Sequence, residues 1–372
     1  MTDQQPVMLA AGGTGGHLFP ALALAEELGR RGVAVELVTD QRGDRYGADF
    51  PARRIHRLPA ATLAGRSPVA AARTALTITR AVAAAMKLLA EAKPAAIVGF
   101  GGYPTLAPLI AARLKRIPSA LHEQNAVLGR ANRLLAKRVS AIATSFAHVK
   151  GLDRPPALAK VRLTGNPVRQ TVLDWAARDY AAPEPGGPYN LVVFGGSQGA
   201  RFFSDAMPPA LALLPEEMRA NLFVVQQCRE EDLARVEAAY ARLGLHANLA
   251  PFFTNLPEEM ARAHLVIGRA GASTIAELTA LGRPSILVPL PHAVDNDQLL
   301  NAGQLAAAGG ALAIEQKDLT AARLATEIVA LMNNGDRLAA MAGAARAQGR
   351  PDAVVRLADL VEALARRRAG TG

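Results

Sequence analysis

The chain is poor in cysteine and in aromatic residues. It has one cysteine, Cys228, and aromatic residues make up 4% of its 372 positions. A single cysteine cannot form an internal disulfide, and there is no Cys/His cluster of the kind that binds zinc, so the sequence fits a reducing cytoplasm. We expect Cys228 to be a small buried residue beside a strand. The cores must then be built from Ala, Leu, Val and Ile, and the hydrophobic content of 50% allows this.

The sequence also lacks the pattern of a secretory signal and that of a membrane-spanning helix. Its first residues show no basic stretch followed by an apolar core. Segment 94–112 carries no charge, and a spanning helix needs about 20 apolar residues. However, three glycines and two prolines cluster at 99–108 within this segment. We therefore expect a buried strand, a glycine loop and the start of a helix there, and no transmembrane segment.

Positive charge is concentrated in the first half of the chain. Residues 1–170 contain 24 Lys and Arg against 10 Asp and Glu, whereas residues 171–372 contain 18 against 22. A basic half predicts contact with something anionic, either nucleic acid or an anionic membrane surface. No zinc finger, helix-turn-helix pattern or interleaving of aromatic with basic residues favours nucleic acid.

The chain has the organisation of two nucleotide-binding halves. A strand at 7–10, a glycine loop and a helix are matched by a strand at 191–194, a second glycine loop and a helix, with an offset of 183 residues between the two loops. Further strands are predicted at 33–38, 95–100, 119–122, 141–144, 222–226, 265–268 and 285–289. Their alternation with helices predicts an α/β protein with two doubly wound parallel sheets. We expect domains at 1–166 and 167–351, a final helix at 352–368 that packs back on the first domain, and a ligand cleft at the loops that follow the strands.

The glycine loop GGTGGH at 12–17 lets the backbone approach a ligand closely, with the amino end of a helix beginning near Leu18. It matches neither a dinucleotide fingerprint nor a P-loop. His17 at its edge either takes a proton from an attacking hydroxyl or shapes the loop by hydrogen bonding. The segments GFGGYP at 99–104 and GGSQGA at 195–200 form similar loops, and Ser197 can donate to a phosphate oxygen.

Taken in order, the motifs resemble one family. GGTGGH, GFGGYP, HEQN at 122–125, GNPVR at 165–169, GGSQGA, RAGASTIAEL at 269–278 and DNDQ at 295–298 are similar to segments of the MurG family of UDP-GlcNAc transferases. The resemblance runs from about residue 12 to residue 301. It implies a GT-B fold of two Rossmann-like domains that face each other across a cleft, an inverting mechanism, and no metal or other cofactor.

The resemblance also implies the substrates and the location. The donor is UDP-GlcNAc, and the acceptor is the C4 hydroxyl of the MurNAc-pentapeptide on undecaprenyl diphosphate (lipid I), which becomes lipid II of peptidoglycan synthesis. The enzyme would act as a peripheral protein at the cytoplasmic face of the inner membrane.

The resemblance also implies site residues, at the positions that match the family's motifs. The physical reading of 271–277 agrees with the family, because a helix that opens at Gly271 with two hydroxyl residues suits a diphosphate, and Glu277 one turn later can accept from ribose hydroxyls. The residues implied to contact the donor are Thr14, Gly15, Gly16, Asn125, Arg169, Ser197, Phe253, Ala272, Ser273, Thr274, Ile275, Ala276, Glu277 and Gln298. Those implied to face the acceptor diphosphate are Gly13, His17, Gly101, Gly102 and Tyr103. From its chemistry, we expect His17 to be the general base.

One position departs from the family pattern. Asp297 stands where the family commonly has histidine, next to Gln298, which is expected to recognise the sugar hydroxyls. The stretch 295–297 superficially resembles the DxD metal site of other glycosyltransferases, but the implied fold does not use such a site, and we expect no metal there.

A basic, apolar helix is predicted around 63–90. Arg66, Arg73, Arg80 and Lys87 recur every seven residues, close to two helical turns, with apolar residues between them. We expect Arg73, Arg80 and Lys87 to dock on anionic lipid. The alternative is a solvated helix face above an ordinary core.

Two other classes of function remain open on the residues alone. Another GT-B enzyme, such as a UDP-sugar 2-epimerase or a glycolipid transferase, shares the loops, but HEQN and GNPVR argue against it. A non-catalytic nucleotide-sugar or nucleic-acid binding module is permitted by the basic half, but the sequence shows none of the nucleic-acid-binding patterns named above.

Overall fold

The first strand of the protein alternates between two buried faces of a parallel sheet. In a computed structural model, which describes residues 5–12, 15–40, 50–58, 68–196 and 201–369, Val7 and Leu9 pack in one hydrophobic cluster and Met8 and Ala10 in another. A strand covered by helices on both faces must be apolar at every position, which explains the continuous run VMLA.

The chain divides into two compact units. The first holds residues up to Arg169 together with those from Asp352 onward, and the second holds Gln170–Pro351. The boundary therefore falls between Arg169 and Gln170, three residues beyond the expected end at 166. The second boundary, after Pro351, assigns the last helix to the first unit.

The first unit has a parallel sheet with the order β3-β2-β1-β4-β5-β6-β7 in its described part. Its strands are β1 (Val7–Ala10), β2 (Val35–Thr39), β3 (Arg54–Arg57), β4 (Ala96–Gly99), β5 (Ser119–Glu123), β6 (Ala141–Thr144) and β7 (Val161–Leu163). Its helices are α1 (Gly15–Arg30), α2 (Pro68–Ala92), α3 (Leu106–Leu114), α4 (Arg130–Leu135) and α14 (Ala353–Ala369).

The second unit repeats this topology, with a parallel sheet of order β10-β9-β8-β11-β12-β13 in its described part. Its strands are β8 (Tyr189–Phe194), β9 (Leu222–Gln227), β10 (His246–Ala250), β11 (Leu265–Gly268), β12 (Ser285–Leu287) and β13 (Ala311–Ala313). Its helices are α5 (Gln170–Ala176), α6 (Arg201–Ala212), α7 (Glu216–Ala220), α8 (Leu233–Arg242), α9 (Leu256–Arg262), α10 (Ala272–Leu281), α11 (Asp297–Ala307), α12 (Ala321–Met332) and α13 (Gly335–Gln348). Two doubly wound parallel sheets are the components of the GT-B fold, so this prediction is confirmed.

The helix α14 is part of the core of the first unit. Leu357, Val361 and Leu364 pack with residues of α1 and β1 in one buried cluster. At the edge of this contact, Arg31 pairs with Asp359 at 2.6 Å and with Glu27 at 2.6 Å. Burial of the apolar face of α14 therefore returns the end of the chain to the unit in which the chain began.

The sequence prediction located the central strands and missed the peripheral ones. Each of the predicted strands is present, and several bounds agree to the residue. The strands β3, β7, β10 and β13 were not predicted. At the outer edges, β3 (RIHR) and β10 (HANLA) are largely exposed, and a half-exposed edge strand needs no continuous apolar run.

Two further expectations have direct outcomes. Cys228 is buried and follows β9, as predicted. The first helix begins at Gly15 rather than near Leu18, so the last three residues of the GGTGGH segment form the first helical turn. No helix in the described ranges is long and apolar enough to span a bilayer.

Candidate active site

Each sheet reverses its strand order at one point, and the motifs lie there. In the first unit the reversal is between β1 and β4, and in the second it is between β8 and β11. Loops at the carboxyl ends of such strand pairs form the usual ligand crevice of doubly wound folds. The GGTGGH and GFGGYP segments follow β1 and β4, and the GGSQGA and RAGAST segments follow β8 and β11.

In the first unit two glycines of the GFGGYP loop lie beside the His17 ring. Gly101 and Gly102 have φ angles of 96° and 78°, in the region that favours glycine. A Cβ on Gly101 would lie 3.0 Å from His17 Cε1, and one on Gly102 would lie 3.6 Å from His17 Cδ2. A Cβ on Gly12 would lie 3.3 Å from Pro104 Cδ. The predicted acceptor residues His17, Gly101 and Gly102 therefore lie together.

A chain of hydrogen bonds runs behind His17. Its Nδ1 lies 3.3 Å from Gln124 Oε1. The Gln124 amide donates from Nε2 to the Phe100 carbonyl at 2.9 Å and lies 3.1 Å from His122 Nδ1. His122 Nε2 is 3.0 Å from the Gly165 carbonyl. Gln124 and His122 are both buried.

Burial favours the neutral form of both histidines. Burial lowers the pKa of His17 below its ordinary value of 6.5, against the opposing effect of hydrogen bonds to Gln124 and Phe100. Burial likewise lowers the pKa of His122 to about 4, although its hydrogen bond to Gly165 acts in the opposite direction. A neutral imidazole has one nitrogen with a lone pair, so His17 can accept a proton.

The carboxylate of Glu123 organises the loop after β5. It accepts from the backbone N–H groups of Gly129 at 2.9 Å and Asn125 at 3.1 Å, and from Asn132 Nδ2 at 2.8 Å. Burial raises the pKa of Glu123 despite these hydrogen bonds. The predicted site residue Asn125 is thus held at the carboxyl edge of the sheet by the residue two positions before it.

Two other predicted residues lie near this edge. Arg169, at the end of the first unit, has its guanidinium carbon 5.8 Å from the centre of the Phe19 ring, which belongs to α1. Tyr103 begins a short 3-10 turn that ends at Thr105 and packs partly against the core.

In the second unit, α10 begins after β11 without a side-chain cap from the described residues. Gly271 is its N-cap and has no side chain with which to accept a hydrogen bond. The first helical hydrogen bond runs from the Ile275 N–H to the Gly271 carbonyl at 3.0 Å. The preceding amides, of Ala272, Ser273 and Thr274, point beyond the helix, where its dipole favours an anion.

Gln298 connects the loops that follow β11 and β12. Its Oε1 accepts from the N–H groups of Ala270 at 3.2 Å and Leu290 at 3.0 Å. Within the described residues its Nε2 has no acceptor, so the amide has donors available for a ligand. Asp297, the departure from the family pattern, accepts from the Gln298 N–H at 2.7 Å. The Asp297 carboxylate thereby anchors the first turn of α11.

Backbone strain marks the same loop. His292, Asp295 and Asn296 have φ angles of 58°, 57° and 55°, a conformation that costs a non-glycine residue on the order of 1 kcal/mol. Burial, together with the neighbouring Asp295, raises the pKa of Asp297. Among the described residues no group of three or more His, Cys, Asp or Glu side chains is placed to hold a metal ion.

Two buried side chains brace the second unit's loops. Arg269 donates to the carbonyls of Val288 and Pro289 and to Gln316 Oε1. Gln227 accepts from the Gly195 N–H at 3.2 Å and donates to the Pro251 carbonyl at 3.0 Å. This second bridge holds the loop after β10, which carries the half-buried Phe253.

The remaining predicted residues have these positions. Gly16 lies in the first turn of α1, and the backbone of Gly15 begins that helix. Ile275, Ala276 and Glu277 continue α10, where Ile275 and Glu277 are buried. Gly13, Thr14 and Ser197 lie outside the described residues, as does Arg66.

The sequence interpretation gave no role to Gln124, His122 and Glu123, which the structure places in the hydrogen-bond networks of His17 and Asn125. They were recognised as part of HEQN, but only Asn125 was given a role. Arg269 and Gln227 were missed as well. The available signal was the position of polar residues at the ends of otherwise apolar strands, since a buried polar group must be hydrogen-bonded.

In the basic helix α2 the basic residues are exposed, whereas most of the apolar residues pack against the core. Ala81, Ala85 and Leu89, spaced by four, are buried in the core. Arg73, Arg80 and Lys87 are exposed. Val82, Met86 and Leu88 pack partly against the core, whereas Leu76 is 51% exposed. The apolar residues between the basic ones therefore mainly stabilise the unit.

Known proteins resemble this chain over nearly its full length. Residues 7–144 match the glycosyltransferase family 28 N-terminal domain, and residues 190–357 match the corresponding C-terminal domain. A Bradyrhizobium protein named UDP-N-acetylglucosamine--N-acetylmuramyl-(pentapeptide) pyrophosphoryl-undecaprenol N-acetylglucosamine transferase is 56% identical over 97% of this chain and 98% of its own.

Solved structures show the same relationship. The crystal structure of MurG from Acinetobacter baumannii has a TM-score of 0.81 and 30% identity, covering 96% of this chain and 99% of its own. A UDP-GlcNAc 2-epimerase from Neisseria meningitidis has a TM-score of 0.63 at 14% identity, covering 95% and 98%. At that identity the likeness is one of fold alone.

Proposed function

Because the chain belongs to glycosyltransferase family 28, we propose that it transfers N-acetylglucosamine from UDP-GlcNAc to the C4 hydroxyl of lipid-linked MurNAc-pentapeptide. The observation that carries this proposal is the identity of 56%, over 97% of the chain, to a relative named for this transferase activity. The hydroxyl oxygen attacks the anomeric carbon of the sugar, the bond from that carbon to the diphosphate breaks, and UDP leaves with the bonding electron pair. One displacement inverts the anomeric configuration.

The donor site of the proposal lies in the second unit. The diphosphate accepts from the free amides at the start of α10 and from the hydroxyls of Ser273 and Thr274. Glu277 accepts from the ribose hydroxyls, and Gln298 donates from Nε2 to the sugar. The backbone of Phe253 contacts uracil. Negative charge that develops on the departing diphosphate is stabilised by the oriented amides without reorganisation.

The acceptor site lies in the first unit around His17. Its neutral ring takes the proton of the attacking hydroxyl, a contribution of about 100- to 10,000-fold in general base catalysis. The backbone of Gly101 and Gly102, with Tyr103 next to them in the chain, faces the acceptor diphosphate, since glycine allows the close approach of the main chain to phosphate.

The lipid acceptor requires the first unit to meet a membrane, and the exposed basic residues of α2 support that contact. Each basic residue near an anionic surface contributes about 1 kcal/mol to membrane binding.

Replacing Arg73, Arg80 and Lys87 together by alanine should reduce sedimentation of the protein with anionic vesicles, with little effect on sedimentation with neutral vesicles. The matched control replaces three exposed basic residues of the second unit, Arg242, Lys317 and Arg337. Equal binding of both triple variants to anionic vesicles would contradict membrane binding through the basic residues of α2.

The reaction is tested by transfer of labelled GlcNAc from UDP-GlcNAc to a short-chain lipid I analogue, with EDTA present and a no-acceptor control. We expect acceptor-dependent product with inverted configuration, and a His17→Ala variant reduced at least 100-fold. Release of UDP or formation of ManNAc without acceptor would instead establish hydrolytic or epimerase chemistry on the same fold. A His17→Ala variant with normal turnover would remove His17 from the role of base.

A further inference from the structure

We propose that Gln124 and His122 are positioning residues, which fix the His17 ring in the tautomer that carries its proton on Nδ1 and presents Nε2 as the base. The inference deepens the proposed function and rests on the role of His17 in it. It follows from the order of donors and acceptors in the hydrogen-bond chain that begins at Gly165.

The direction of the chain is set by groups that can only accept. The Gly165 carbonyl lies 3.0 Å from His122 Nε2, so that nitrogen carries the proton. His122 Nδ1 of the neutral ring then has a lone pair, and it accepts from the Gln124 amide at 3.1 Å. Because His122 is fully buried, no solvent molecule offers its ring an alternative partner.

The orientation of the Gln124 amide follows in turn. Its Nε2 is 2.9 Å from the Phe100 carbonyl and 3.2 Å from the His122 carbonyl, both of which only accept. The amide nitrogen must therefore face these groups, and Oε1 must face His17. An amide oxygen cannot donate, so the contact of 3.3 Å requires a proton on His17 Nδ1.

The glycines near the ring do not determine the tautomer of His17. A Cβ on Gly101 would meet Cε1 and Nδ1 of the ring, and a Cβ on Gly102 would meet Cδ2. The glycines therefore leave room for the ring, but they do not determine which nitrogen holds the proton. The tautomer of a histidine is set by the partner of its other nitrogen, and here the side-chain partner of Nδ1 is Gln124.

The experiment combines ring-nitrogen NMR with kinetics on the full chain. Two-bond 15N–1H correlation of the histidine rings, assigned by comparison with the His17→Ala spectrum, reports the tautomers directly. We expect a proton on Nδ1 of His17 and on Nε2 of His122. Gln124→Met, which keeps the shape of the side chain, should lose the single tautomer of His17 and lower kcat by about 10- to 100-fold, with KM for UDP-GlcNAc within about twofold.

Gln124→Glu gives a second readout that a merely structural role would not produce. Its carboxylate still accepts from His17 but adds a negative charge, which raises the pKa of the ring. The acid limb of the kcat/KM profile should therefore move to higher pH in Gln124→Glu and to lower pH in Gln124→Met. The matched control is Gln226→Met, which removes a buried glutamine that bonds to Tyr240 and Cys228 in the second unit, and it should keep the wild-type profile and tautomers.

A proton on Nε2 of His17 in the wild-type spectrum would overturn the inference, as would wild-type kcat in Gln124→Met when His17→Ala is inactive. The proposed function fails differently. If the wild-type chain transfers no GlcNAc, or if His17→Ala is fully active, the reaction or the base is wrong, whereas the NMR result still decides the tautomers.

Discussion

A Cβ atom on Gly101 would lie 3.0 Å from Cε1 of His17. We predict that Gly101→Ala lowers kcat/KM for the lipid I analogue by at least tenfold, because the added methyl group displaces the ring of the proposed base. The measurement is the initial rate of GlcNAc transfer with saturating UDP-GlcNAc.

The control for this prediction is Gly186→Ala. Gly186 also has a positive φ, of 72°, but its added Cβ meets no atom within 4 Å. Both variants acquire backbone strain of about 1–2 kcal/mol, so both should lose some thermal stability. Equal kinetic losses in the two would indicate general strain and would contradict a specific contact with His17.

Acid should destabilise the first unit through His122. Its pKa is about 4 in the folded protein and about 6.5 in an unfolded chain. Between these values the unfolded state binds more protons, so the free energy of unfolding falls as pH falls from about 6.5 to 4, by at most about 3 kcal/mol from this residue.

This slope is checked by hydrogen exchange of first-unit amides across the pH window. A His122→Gln variant, which cannot titrate, should show a flatter slope than the wild type. His246→Gln, which removes an exposed histidine from the second unit, serves as the comparison. Parallel slopes in the wild type and His122→Gln would show that burial of His122 is not linked to acid sensitivity.

The last helix should contribute to first-unit stability through its buried face. Leu357 is completely buried in the cluster shared with α1 and β1, and removing such a side chain costs about 2–5 kcal/mol. We expect Leu357→Ala to lower the urea midpoint of the first unit. Val355→Ala, at a position that is 42% exposed, should leave it almost unchanged, and a comparable loss in both variants would be inconsistent with this packing.

Gln298 offers a test of sugar recognition that separates its two functional groups. A Gln298→Glu variant retains an oxygen that can accept from Ala270 and Leu290 but loses the amide donor. We expect KM for UDP-GlcNAc to rise about tenfold, equivalent to about 1.4 kcal/mol, while the affinity for UDP alone stays within about twofold. Gln348→Glu, at the exposed end of α13, controls for the added charge. A parallel loss of UDP affinity in Gln298→Glu would contradict recognition of the sugar by Gln298.

The sequence by itself determined the fold class and the central strands, because strands such as β1 are apolar at every position and alternate with helices. It also located the ligand-binding loops, since glycine-rich segments that follow such strands are typical of loops that approach a ligand closely. It did not locate edge strands such as β3, whose residues are exposed. It led us to expect that the last helix packs back on the first domain, but it did not show which residues of α14 enter the core, because an apolar helix face is compatible with more than one partner.

The same division applies to the site. The order of motifs determined the family, and the helix that opens at Gly271 could be recognised as an anion site from local physics alone. Only the tertiary structure decided that Gln124, 107 positions from His17 in the chain, lies beside the His17 ring with its amide oxygen toward Nδ1. That orientation depends on carbonyls of Phe100 and His122 brought together by parallel pairing of strands, and hydrogen bonds between residues so distant in the chain leave no periodic pattern in the sequence.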